Sequence, residues 1–131
     1  MAIMTKLEEL RDQFALIPGI QTSKIGIEKG MTAADYPMVR IVPTTVGPGD
    51  VIGLRAAEVL IYFGKPIEAF EDEPDSEGRV RLERLYAELF DLEDAIIEVV
   101  ASMGGEYEET ILDEDRIDTY KLMAVKAVVE G

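Results

Sequence analysis

Apolar residues near the start of the chain recur at helical spacing. Leu7, Leu10, Phe14 and Ile17 are separated by three, four and three positions, which predicts one buried face on a helix over residues 5–17. Thr5 with Glu8 three positions later matches a capping box, and Pro18-Gly19 supplies a stop. A short strand is expected over Lys24-Ile25-Gly26-Ile27-Glu28, closed by Lys29-Gly30. From Met38 to Val46 the chain is β-branched and extended, although Pro43 cannot donate a ladder bond and so marks an edge or a bulge. Gly47-Pro48-Gly49-Asp50 reads as a turn, and a second strand over Val51 to Gly64 would complete an antiparallel hairpin.

The strongest pattern lies further on. Leu82, Leu85, Leu89, Leu92, Ile96, Val99 and Met103 alternate spacings of three and four, so one stripe runs the length of a helix over Arg79 to Met103. Gly104-Gly105 ends it. The stripe fits a coiled-coil seam, but a lone helix lying across a sheet has the same pattern, and that reading is the expected one. Glu106 to Leu112 alternates as a strand, Asp113-Glu114-Asp115-Arg116 is a polar turn, and Ile117 to Val129 is a long strand. The distal half of that strand is apolar on both faces, with Met123, Val125, Ala127 and Val129 on one and Leu122, Ala124 and Val128 on the other. Such a strand is buried from two sides. Either the two helices cover both faces of one sheet, or a neighbouring subunit covers one of them.

Strands joined to strands by short turns imply a largely antiparallel sheet of four to five strands. Packed with an N-terminal helix and one long helix, it makes the class α+β. At 131 residues the chain is expected to form a single domain over residues 1–131.

Charge changes the picture. The chain carries 13 Lys+Arg against 27 Asp+Glu, a formal net charge of −14. Nucleic-acid backbones and anionic membrane surfaces both require a concentrated positive field, so neither is expected as a partner. Six acids (Glu68, Glu71, Asp72, Glu73, Asp75, Glu77) stand between Lys65 and Gly78 with no base among them. The plain expectation is a solvated loop. Ile67 and Phe70 interrupt it, and with Glu71, Asp72 and Glu73 they are the candidate contact residues: two apolar anchors inside an acidic rim. The alternative is that they fold back onto the protein's own core.

Missing residue types narrow the chemistry. The sequence contains no Cys and no His. That removes thiolate nucleophiles, disulfides, Ser-His pairs and most transition-metal sites. Gly64-Lys65-Pro66 lacks the rest of a phosphate loop, and no Gly-rich fingerprint opens either helix. Neither acidic run, Glu71 to Glu77 or Asp113 to Asp118, has EF-hand spacing, so weak divalent-cation association is the most that is expected. No catalytic residue, cofactor or metal ligand is assigned, and an enzyme is not expected. The opening residues Met1 to Lys6 lack the apolar core of a signal peptide, and no apolar run approaches the roughly 20 residues of a bilayer span, so residence inside the cell is expected.

One arrangement stands out. An N-terminal helix leads through Asp35-Tyr36-Pro37 into the strand Met38-Val39-Arg40-Ile41-Val42, followed by a turn, a second long strand, an acidic loop, one long helix and a closing strand pair. This resembles the tail terminators of lambda-like siphophages, and more broadly the tail-tube and tail-completion fold of tailed phages. The similarity spans nearly the whole chain. It implies a six-fold ring that caps the tail tube and meets the neck, with no chemistry of its own. Its partners would be further copies of itself, the tail-tube protein and the neck or connector protein. It would reside in the host bacterial cytoplasm during assembly and then in the virion tail. A head–tail connector or tail-completion protein is the near alternative. An acidic inhibitor or DNA mimic, with Glu83, Asp91, Asp94 and Glu98 on one helix face, and a small cytosolic enzyme are the distant ones.

Overall fold

A computed structural model of the chain describes residues 2–26, 37–66, 81–112 and 120–131. Its elements run α1 (Ala2–Ala15), β1 (Thr22–Ile25), β2 (Met38–Pro48), β3 (Arg55–Pro66), α2 (Arg81–Ser102), β4 (Glu106–Ile111) and β5 (Tyr120–Glu130). The class is α+β, as the strand and helix order predicts. The strands form one sheet in the order β1-β2-β3-β5-β4. Three of its pairings are antiparallel, but β1 runs parallel to β2, so the sheet is mixed. The reason is length: twelve residues, Gly26 to Pro37, separate β1 from β2. That is a crossover's length, whereas an antiparallel neighbour needs only a tight turn.

The first helix starts earlier than the capping box implies, at Ala2, because Ile3 extends the stripe and is buried with Leu7, Leu10 and Phe14. Thr5 therefore lies inside the helix, where it cannot serve as the cap. Ile17 follows the last turn and packs half-buried against the core. In α2 the stripe is buried at Leu85, Leu89, Leu92 and Ile96, then moves to Val100, with Val99 and Met103 half-buried beside it. A period of 3.6 explains the move, since a strict alternation of three and four drifts off the face over several turns. The helix ends in a Schellman motif: the Gly105 N–H donates to Val100 O at 2.9 Å and the Gly104 N–H to Ala101 O at 3.1 Å, with Gly104 at φ 79°. The Lys6 ammonium donates to the Met103 carbonyl at 2.7 Å, tying α1 to the negative end of α2.

Both helices lie on one side of the sheet. Leu10 and Phe14 of α1 share a single apolar cluster with Leu89 and Ile96 of α2 and with Val39, Ile41, Val59, Ile61, Phe63, Met123 and Val125 of the strands. Those strand residues alternate onto the same face. The stripe of α2 is thus monomer core and not a coiled-coil seam. The possibility that the helices cover both faces of the sheet is overturned. Two layers suffice because α1 lies over β1, β2, β3 and part of β5 while α2 lies over β3, β5 and β4.

The hairpin also differs from its expected outline. Strand β2 continues through Gly47-Pro48, and β3 begins only at Arg55, so the turn is residues 49–54 and Val51 to Leu54 are not strand. Pro43 sits where the register slips between Pro43 and Thr45, a bulge just past the last residue that β1 pairs. Lys65 and Pro66 belong to β3. The contact candidates Ile67, Phe70, Glu71, Asp72 and Glu73, the turn Asp113–Arg116 and the Asp35-Tyr36 lead-in lie outside the described residues.

Candidate interaction surfaces

The sheet's second face carries no helix among the described elements, and register fixes its layout. Successive rows across the strands are Met38–Gly64–Leu122, Arg40–Tyr62–Ala124–Ile111, Val42–Leu60–Lys126–Glu109 and Thr45–Glu58–Val128–Glu106. The first two rows are the buried end, where Met38 and Leu122 pack with Tyr62. Further along, Val42, Leu60, Ala56 and Val128 are half-buried apolar positions. Both sides of β5 are therefore apolar, as its composition predicts, but only one is under helices.

Lys126 is the charged centre of this face. Its ammonium lies 3.1 Å from Glu58 Oε1 and 3.7 Å from Glu108 Oε2. The hydrogen bond and charge of Glu58 raise its pKa above the ordinary lysine value, with smaller contributions from Glu108 and Glu109. The contact to Glu58 is diagonal across β3 and β5, and the second is reached because β4 bulges between Tyr107 and Glu109. Glu106, Glu108 and Glu109 leave an exposed acidic margin along β4.

A second surface sits at the end of the β2–β3 hairpin. The Gly49 N–H donates to Leu54 O at 2.9 Å, and inside that loop the Leu54 N–H donates to Val51 O at 3.0 Å. Gly53 supplies φ 89° at the third position of this inner turn, where a type II turn requires positive φ. The Glu130 carboxylate accepts from the Asp50 N–H, so the end of β5 pins the loop's base. The result is an apolar tip: Val46, Val51, Ile52 and Leu54 are exposed, with Ile52 at the turn's corner 101% exposed. Between Arg40 and Arg55 the sequence has one charged residue, Asp50, although nearly a third of the chain is charged. Reading Val51 and Ile52 as strand hides this tip; a Val-Ile pair between Gly49 and Gly53 was the available signal.

Elsewhere the surface offers less. A cleft of about 300 Å³ between the loop after α1 and the side of α2 is lined by Ile17, Ile20, Lys65, Glu88, Asp91 and Leu92. Its one cation, Lys65, already pairs with Glu88 at 3.1 Å. On α2, Glu83, Asp91, Asp94 and Glu98 are exposed, but the exposed Tyr86 and Phe90, with ring centroids 6.2 Å apart, break up the row. Among the described residues no group of three acids is placed to hold a metal ion, and no helix is long and apolar enough to cross a membrane. The chain matches no protein-family model and no curated protein.

Proposed function

We propose that the protein is a self-assembling tail protein of a phage or prophage, a terminator-like subunit that caps the tail tube as a ring of six. The observation that carries this is the one-sided helix layer: both helices cover one sheet face and leave apolar positions on the other beside an exposed apolar hairpin tip. A chain built to present two different contact surfaces needs no catalytic group. The order of elements on which the resemblance to tail terminators rests supports the same reading. The broken acidic row on α2 makes a DNA mimic the weaker account.

The test uses the strain that encodes the chain. With an epitope tag on the protein, immunogold labelling of tailed particles should mark the head-proximal end of the tail. Label on heads that have lost their tails would instead assign the connector role. Particles without label would overturn the proposal.

A further inference from the structure

We infer that the β2–β3 hairpin tip docks on the helix-free sheet face of a second copy of this chain, at its half-buried end. The tip needs an outside partner for a geometric reason. It continues the strands whose face it would have to cover, so it cannot fold back onto its own sheet. Val51, Ile52 and Leu54 are held in water by a turn with two internal hydrogen bonds and by the Glu130 carboxylate. Apolar side chains fixed in that position serve association, since single exposed apolar residues are commonplace but a fixed apolar cluster is not.

Charge selects the second copy. Arg55 is exposed at the base of the tip. The helix-free face offers half-buried Val42 and Leu60, then Lys126 paired with Glu58 and Glu108, and beyond it the exposed carboxylates of Glu106 and Glu109 on β4. The tip's exposed charges are Asp50 and Arg55, nearly neutral together, and Arg55 has its complement in the carboxylates along β4. At a net charge of −14 two copies repel over most of their surface, so contact is favoured where one partner is nearly neutral and carries the cation. Tip and face are different surfaces, which makes the contact head-to-tail; such contacts close into rings or run on as filaments. This deepens the ring reading without needing the phage origin.

The absence of native cysteine makes the test clean. Ile52→Cys and Leu60→Cys variants, purified separately and mixed under mild oxidation, should give a disulfide-linked heterodimer in excess of either homodimer. Val42→Cys serves as the receiving variant if Leu60→Cys does not fold. Equal or greater self-linking of Ile52→Cys would mean tip-to-tip contact and overturn the inference, as would no cross-link at all. In sedimentation velocity, Ile52→Asp should weaken self-association at least tenfold with an unchanged Tm. Unchanged association would overturn the inference while leaving the phage reading intact, whereas unlabelled tails would do the reverse.

Discussion

At the scale of single residues, the side chains that matter most are those that hold the two surfaces in shape. Lys126 bridges Glu58 and Glu108 across three strands, and its pKa is raised mainly by Glu58. A lysine whose folded pKa exceeds its unfolded one contributes stability that is fully present below the unfolded value of about 10.4 and is lost as pH rises through the folded value. Thermal melts between pH 8 and 12 should therefore show Lys126→Met losing its disadvantage to wild type at the alkaline end. A difference that stays constant across that window would contradict the assignment. Gly49 is the other telling position, because a Cβ there would collide with the Glu130 carboxylate and meet the Leu54 carbonyl oxygen at 3.0 Å. Gly49→Ala should cost about 1–3 kcal/mol. In a Glu130→Ala background the cost should fall, and a double-mutant cycle by urea denaturation reads that coupling. Simple additivity would mean that the carboxylate does not pin the loop.

At the scale of elements, the helix stripes and the sheet explain each other. Leu89 is fully buried in the cluster shared by both helices, so Leu89→Ala should destabilise the fold by about 2–5 kcal/mol without changing the protein's association. A stability change below about half a kcal/mol, with altered oligomer mass, would return α2 to the role of a coiled-coil seam. The α2 stripe was legible because a helix of 22 residues repeats its period often enough to be unmistakable. The two-sided apolar character of β5 was legible for a similar reason. Which face the helices choose was not, since alternation along a strand distinguishes two faces without saying what lies on either. The parallel pairing of β1 was hidden as well, because four residues carry no directional signal. The tip escaped because Val51 and Ile52 have the composition of a strand, and only the long-range contact from Glu130 and the turn at Gly53 reveal them as loop. The acidic contact segment around Ile67 and Phe70 falls between described elements, and its role stays where the sequence left it, as an expectation.

At the scale of the whole molecule, charge decides the conditions under which surfaces meet. Six copies bring together six times −14 formal charges, and repulsion between exposed charges is screened over about 10 Å at 0.1 M salt. Assembly should therefore increase with ionic strength, and more steeply with Mg²⁺, which bridges carboxylates. Light scattering across both titrations measures this, and assembly that falls with added salt would mean that the pairing of Arg55 with the β4 acids outweighs the repulsion. The central claim, that this is a ring-forming subunit, is tested most directly by negative-stain microscopy of the purified protein at high salt, with mass measured by light scattering on the same sample. The expected result is closed rings with six-fold symmetry and a mass six times the 14.5 kDa chain. A protein that stays monomeric at high concentration, with no rings in any class average, would contradict it.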